Sequence, residues 1–157
     1  MRNSHCFFAL TFLACIVFAD SAVAQKKTRL RHTPGKNADR TLTYAIEAAQ
    51  PFVQNGFTVR EEYWGGTLPP QTQKIIVHQL FKGNEYWFLA ATDADGAVVS
   101  VHAYDENGNL AETEYFKKAH AAGTHIVPRK SAMYYIMLEI EKSPELQTRW
   151  ALVFGFR

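Results

Sequence analysis

The feature that most constrains the fold is the succession of short apolar runs that begins after Gly56. Each run is rich in β-branched and aromatic residues, and the runs are separated by turn sequences such as "KGNE", "DADG" and "ENGN". Alternation of apolar and polar residues with a period of two is typical of strands that bury one face. About eight such runs follow Gly56. This spacing predicts an all-β fold, an antiparallel β-sandwich or jelly roll, rather than a parallel sheet.

Three of these runs decide how the core is expected to form. The run "YWFLAAT" is apolar throughout, so we expect it to be covered on both faces. The run "SAMYYIMLEIE" has the propensity of a helix, but its period of two and the "KSPE" turn after it favour a strand. In "VVSVHAYD", the pleat of a strand places Val99, Val101 and Ala103 toward the core and the residues between them toward solvent.

Ahead of the strands, one segment changes to the spacing of an amphipathic helix. In "DRTLTYAIEAAQPFVQNG", apolar residues recur every three or four positions, and Asp39 is a suitable N-cap. Pro51 disfavours the helical conformation of the residue before it, so the regular helix is expected to end near Gln50. The sequence therefore predicts one short N-terminal helix, within residues 39–55, packed on a sandwich of residues 57–157.

The N-terminal residues up to Ala24 have the features of a signal peptide. Arg2 precedes the apolar run "CFFALTFLACIVFA", and "SAVAQ" supplies the small residues of a cleavage site after Ala24. The apolar run is too short and too early for a membrane span. Lipidation at Cys15 is the alternative, because "FLAC" places a small residue before that cysteine. We therefore expect a protein that is secreted or periplasmic after cleavage, with no transmembrane segment in its mature chain.

The polar and basic residues 25–38 are expected to form a disordered leader, and residues 39–157 a single domain. Both cysteines, Cys6 and Cys15, lie within the predicted signal peptide. Disulfides, thiolate zinc sites and cysteine nucleophiles are therefore not expected in the mature chain, and its stability must come from a core. The net charge of +2 includes no basic stripe of the kind that phosphate backbones require, so nucleic acid is not an expected partner.

From about Tyr63 to Arg157, the order of strands and turns resembles a bacterial pre-peptidase C-terminal domain. The matching features are "LFKGNEYWFLAAT", "VVSVHAYDENGNL", "IVPRKSAMYYIMLEI" and the closing "RWALVFGF". The chain departs from the family where members often carry a glycine before the tyrosine strand, since Ala132 and Met133 stand there. These domains are small β-sandwiches of secreted bacterial proteins, related to the collagen-binding modules of clostridial collagenases. The resemblance thus implies a sandwich fold.

The sequence "DENGN" after the alternating strand has two interpretations. Asp105 can accept backbone N–H groups and Asn-Gly favours a positive φ, which is typical of a hairpin turn. Calcium is the alternative, because the related collagen-binding modules bind it and because Asp93 or Asp95 in "DADG" could share a site with Asp105. An EF-hand is excluded, since its loop requires glycine at the sixth position and an acidic residue at the twelfth, where this chain has Phe116.

Aromatic and histidine side chains supply the candidate ligand-binding residues. Trp64 lies beside the flexible "GGT", and Tyr104 and His102 are expected on the solvent side of their strand. If Trp64 and Tyr104 share an exposed face, they would form a platform for sugar rings or a groove for a protein strand. His120 and His125 have a spacing compatible with zinc and are expected in a loop, but no further ligand pair is nearby.

No catalytic signature is present in the sequence. There is no G-x-S-x-G, H-E-x-x-H or glycine-rich phosphate motif, and the neighbouring Glu61 and Glu62 would point to opposite faces of a strand. We therefore predict a secreted, non-catalytic β-sandwich module that binds an extracellular polysaccharide or protein. The alternative is a small structural protein of the periplasm or envelope that packs on a partner through its N-terminal helix.

Overall fold

The computed structural model describes residues 28–29 and 39–157. The predicted signal peptide, its cleavage site and most of the predicted leader lie outside the described residues. The described part of the chain forms one helix and nine strands. In chain order, the elements are β1 (Thr28–Arg29), α1 (Arg40–Gln54), β2 (Thr58–Leu68), β3 (Thr72–Leu80), β4 (Tyr86–Thr92), β5 (Val98–Tyr104), β6 (Glu114–Lys118), β7 (Ala121–Ile126), β8 (Ala132–Lys142) and β9 (Thr148–Phe156).

The strands form two antiparallel sheets. One sheet has six strands in the order β1-β2-β9-β4-β7-β6, and the other has three strands in the order β3-β8-β5. The chain crosses repeatedly between the sheets, so that neighbours within a sheet are mostly distant in sequence. The predicted all-β sandwich of about eight strands with one helix is confirmed, and the two-residue β1 extends the edge of the larger sheet.

The main core lies between the two sheets. On β5, Val99, Val101 and Ala103 are fully buried, as the alternation predicted. The sequence "SAMYYIMLEIE" forms a strand rather than a helix, and β8 buries every second residue from Tyr134 to Ile140. The opposite side of this core comes from inward-facing residues of β4 and β9. The period of two alone fits either set of alternate residues on β8, so the structure decides which set faces inward, and on β5 it also buries Ser100, which the alternation placed toward solvent.

The helix α1 covers the outer face of the six-stranded sheet and creates a second core. Ala45 and Ala49 are fully buried there, and their small side chains let the helix lie close to β4 and β9. Every residue of β4 is buried, because Trp87 and Leu89 face the helix while Phe88 faces the other sheet. This confirms that "YWFLAAT" is covered on both faces. The molecule thus has three layers: helix, six-stranded sheet and three-stranded sheet.

The helix begins where the sequence predicts. The Asp39 carboxylate accepts a hydrogen bond from the N–H of Thr41 at 3.1 Å and another from its hydroxyl at 2.6 Å. The carbonyl of Asp39 accepts the N–H of Thr43 at 3.1 Å, which starts the helical hydrogen-bond ladder. Asp39 is therefore the N-cap of α1.

The end of the helix differs from the prediction. α1 continues through Pro51 to Gln54, so the prediction that it ends near Gln50 is wrong. The additional turn carries Phe52, whose ring centroid lies 4.1 Å from that of Trp87. This packing offsets the hydrogen bond that Pro51 cannot donate, and the proline itself lies on the exposed side of the helix.

The packing of β7 against β6 and β4 depends on Gly123. A Cβ at this position would lie 2.4 Å from Cε1 of Phe116 and 3.1 Å from Cδ2 of Leu89. Both neighbours are held, because Leu89 is fully buried and the Phe116 ring packs against that of Trp87. Gly123→Ala is therefore expected to destabilise the fold by about 1–3 kcal/mol. Thermal unfolding should show a melting temperature that is lower by several degrees.

Gly66→Ala is the matched control for this substitution. A Cβ on Gly66 would meet the ring of Trp150 at 3.5 Å, which is ordinary van der Waals contact. We expect a change of less than about 1 kcal/mol, because no neighbour has to move. Equal losses of stability in the two variants would contradict the steric explanation for Gly123.

Candidate functional site

The structure separates the aromatic residues that the sequence analysis grouped. Trp64 is buried between the sheets, where its ring centroid lies 5.5 Å from those of His78 and Phe154. Tyr104 and His102 lie on the other side of β5 from the core and are partly exposed. Trp64 therefore does not share an exposed face with Tyr104, and the two do not form the expected platform. The large apolar area of the indole places it in the core instead.

The outer face of the three-stranded sheet carries a cluster of apolar side chains. Residues directly opposite on paired strands share a face, so the register of β3, β8 and β5 shows which side chains lie together. Val77, Tyr135 and Tyr104 form one row across the three strands, and Leu110 extends this row through its bridge to Tyr104. We call the following residues the apolar face: Ile75, Val77, Tyr104, Leu110, Met133, Tyr135 and Met137.

The side chains of the apolar face are large, and most are well exposed. Leu110 is 58% exposed, Ile75 50% and Met133 44%. Contiguous apolar patches on soluble proteins often mark interaction sites, and tyrosine and methionine are enriched in interfaces. The alternate residues of β3 and β8 are buried in the main core, which fixes the backbone beneath the face. The face is therefore a rigid surface suited to binding.

One flank of the apolar face is organised by His102. Its Nδ1 lies 3.1 Å from Oε2 of Glu112, and the same oxygen accepts a hydrogen bond from Oγ1 of Thr124 at 3.0 Å. The imidazole stacks on the ring of Tyr115, with centroids 4.9 Å apart. Partial burial raises the pKa of the Tyr115 phenol, which keeps it neutral. His102 is thus a fixed polar group at the edge of the face, in the row of Met137.

The sequence "DENGN" forms a closed turn around Asp105. Its Oδ1 accepts the N–H of Asn107 at 2.8 Å and that of Asn109 at 2.9 Å, and its Oδ2 accepts the side-chain amide of Asn109 at 3.2 Å. Gly108 has the positive φ, 79°, that such a turn requires. The backbone N–H of Asn109 above all holds the pKa of the Asp105 carboxyl below its ordinary value. Both carboxylate oxygens are therefore used within the turn.

The predicted calcium ligands lie at opposite ends of β5. Asp93 and Asp95 belong to the turn before this strand, whereas Asp105 belongs to the turn after it. A strand of seven residues spans about 20 Å, so these carboxylates do not meet around one ion. Asp93 is instead paired with Arg149. Within the described ranges, no group of three or more His, Cys, Asp and Glu residues is arranged to hold a metal ion.

The two histidines that were expected in a loop are separated by the structure. His120 lies in the turn before β7, but His125 lies within β7 and is almost fully buried. Its ring stacks on Trp87, with centroids 5.0 Å apart, and its Nδ1 lies 2.7 Å from Oγ1 of Thr113. Its Nε2 makes no hydrogen bond within the described structure and lies 3.5 Å from Oε2 of Glu85. His125 therefore belongs to the packing beneath α1 rather than to a zinc-binding loop.

A cleft of about 270 Å³ opens beside His125 at the end of α1. Its aromatic walls are already engaged, because the Trp87 ring packs on both Phe52 and His125. The guanidinium of Arg157 covers the ring of Phe57 at 4.7 Å from its centroid. The cleft thus presents few open ring faces, and we regard the apolar face as the stronger candidate for ligand binding.

Comparison with known proteins adds no family assignment. No protein-family model matches the chain, and no curated protein matches its sequence at a significant level. The resemblance to pre-peptidase C-terminal domains therefore rests on the order of strands and turns alone. In the part of the chain that the structure describes, no helix is long and apolar enough to cross a membrane.

Tyr104, and His102 beside it, were predicted from the sequence, whereas the other members of the apolar face were not. A signal was present in "TQKIIVHQL", where Ile75 and Val77 alternate with the buried Ile76 and add apolar residues to the second side of β3. Because β3 has apolar residues on both of its sides, its sequence predicts that both sides are covered. The topology shows that α1 covers the six-stranded sheet and therefore does not cover the outer side of β3.

Asp105 makes the stability of the protein depend on acidity. Because its folded-state pKa lies below the ordinary value of 3.8, its stabilising effect is complete above that value and is lost as the pH falls through the lower folded-state pKa. Asp105→Asn removes this titration. The wild type should melt above the variant at neutral pH, and the two melting temperatures should converge as the pH falls through the folded-state pKa of Asp105.

Asp95→Asn is the control, because this exposed carboxylate lies in the turn at the other end of β5. We expect the difference between this variant and the wild type to change less with pH than the difference for Asp105→Asn. A deficit of Asp105→Asn that stayed constant from neutral to acidic pH would rule out the role assigned to the ionised carboxylate.

Proposed function

We propose that this protein is a secreted, non-catalytic β-sandwich module that binds an extracellular polymer or another protein through the apolar face. The observation that carries the proposal is the set of seven apolar side chains held in rows by the register of β3, β8 and β5. Removing apolar surface from water contributes about 25 cal/mol per Å². A partner that covers this face therefore gains affinity from a surface whose backbone is already fixed.

The composition of the face favours a protein over a polysaccharide. Sugar rings stack on flat aromatic side chains, and the face has two of these, Tyr104 and Tyr135. Its other members are aliphatic residues and the two methionines Met133 and Met137. Aliphatic side chains pack against apolar protein surface, and the flexible thioethers adapt to its shape. The polymer remains the second candidate because the two tyrosines are direct cross-strand neighbours.

The alternative function, a structural protein that packs on a partner through α1, has less support. Such a helix would need apolar surface that its own sheet does not use. Leu42, Ala45, Ile46 and Ala49 all pack within the second core. Val53 is 42% exposed and lies near the end of the helix. The helix therefore serves mainly as cover for the six-stranded sheet.

Tyr135→Ser tests the proposed surface. Tyr135 is 37% exposed and lies at the centre of the face, where tyrosine side chains commonly contribute much of an interface's affinity. We expect this variant to fold normally and to lose about tenfold in affinity for whichever probe the wild type binds. Co-sedimentation with peptidoglycan, cellulose and fibrillar collagen, together with measurement of self-association, supplies the probes.

Leu146→Ser is the matched control. Leu146 is 90% exposed in the connection between β8 and β9, so this variant also removes an exposed apolar side chain but does so outside the apolar face. It should bind like the wild type. Equal binding by Tyr135→Ser and the wild type would reject the apolar face as the binding surface. A wild type that binds none of the polymers and does not self-associate would reject the function.

A further inference from the structure

We propose that the partner of the apolar face is a second copy of this chain, packed face to face with its β8 strand antiparallel to the first. This inference rests on the proposed function, because it takes the apolar face as the binding surface and names what covers it. Glu139 and Lys82 lie near opposite ends of β8 and carry charges of opposite sign, and this pattern favours a second copy.

Glu139 marks the anionic end. It faces outward next to Gln73 of β3, whose side-chain amide donates to Oε2 of Glu139 at 3.3 Å. This contact is neutral, and Glu139 forms no ion pair with the part of the chain that the structure describes, so its charge stays uncompensated there. The neighbouring Glu141, in contrast, is paired with Lys117, which is the main reason why the pKa of Glu141 is lowered. Glu139 is therefore the carboxylate on this side of the face that is available to a cation.

Lys82 marks the cationic end. Its backbone N–H donates to Oγ of Ser131 at 3.0 Å, and Ser131 directly precedes β8. The Lys82 side chain is exposed, and its ammonium forms no ion pair with any residue of the described ranges. The nearby Lys130 is paired with Glu106. Lys82 is therefore a cation at this end that is available to a carboxylate.

A two-fold axis through Tyr135 brings these two ends together. Glu139 and Ser131 each lie four residues from Tyr135 along the chain, on opposite sides. Consider a two-fold axis that lies between the two faces, runs perpendicular to the strands and passes over Tyr135. A rotation of 180° about this axis places Glu139 of one copy over Ser131 of the other. The ammonium of Lys82 is then within reach of that carboxylate, and symmetry forms the contact twice. The apolar rows pack on each other, as in a closed two-fold dimer.

The size of the face determines how tightly the copies associate. Three strands about 4.8 Å apart, over about eight residues of about 3.3 Å each, give a flat area on the order of 400 Å². Standard stable interfaces bury about 800 Å² per partner. The dimer is therefore weak, and we expect a dissociation constant in the micromolar to millimolar range.

Sedimentation of the predicted mature chain tests the dimer. Residues 25–157 contain every element of the described fold, so this protein carries the complete sandwich. Concentrations from about 10 μM to about 1 mM cover the expected range. Lys82→Glu and Glu139→Lys each place two pairs of like charges in the interface and should weaken the dimer about tenfold or more. The double variant, Lys82→Glu with Glu139→Lys, restores opposite charges and should associate like the wild type.

Three outcomes would overturn the dimer: a wild type that stays monomeric at about 1 mM, a double variant as weak as the single variants, or single variants that dimerise like the wild type. The experiments also distinguish rejection of the dimer from rejection of the apolar face as the binding surface. If the wild type is monomeric but binds collagen or another polymer through Tyr135, the dimer is rejected and the apolar face stands. If the Tyr135→Ser variant dimerises as well as the wild type, the dimer does not use the apolar face, and this inference fails.

Discussion

The rest of the structure depends on the burial of β4 on both of its faces. An antiparallel strand with one solvated face needs one covering layer, but "YWFLAAT" offers apolar side chains to both sides. The three-stranded sheet covers one side, through Phe88 and its neighbours. The other side, which includes Trp87 and Leu89, requires a further layer, and α1 supplies it with two buried alanines. The three-layer architecture follows from this single requirement.

The same requirement decides which surface remains available for binding. Because the helix is used to cover the larger sheet, the smaller sheet has a covering layer on its inner side only, as far as the described residues extend. Its outer side still carries apolar residues in consecutive rows. Apolar residues on an accessible sheet face do not stabilise the isolated fold by burial, and contiguous apolar patches of this kind often mark interaction sites.

The polar groups around the apolar face are mostly satisfied locally, which sharpens the inference about its partner. Lys117 pairs with Glu141, and His102 is held by Glu112. Asp105 closes its own turn with three hydrogen bonds. These groups hold the edges of the surface in place, and their polar atoms already have partners within the chain. The charge pattern that remains is simple enough to be matched by the same surface in a second copy.

The sequence by itself determined the type of the elements, the start of the helix and the three core positions of β5. The period of two identified the strands and assigned Val99, Val101 and Ala103 to the core, and the helical spacing with Asp39 located the start of α1. These features are local, because the pleat, the turn and the N-cap each involve residues close in sequence. The "DENGN" turn was predictable for the same reason.

Tertiary structure decided what the local patterns could not. It extended α1 through Pro51, because Phe52 finds a partner in Trp87, a residue far away in sequence. It buried Trp64, and it separated Asp93 from Asp105 by the length of β5. Above all, it brought β3, β8 and β5 together in an order unlike their order in the chain. An apolar face made of three such strands is a property of their pairing, and no single stretch of sequence contains it.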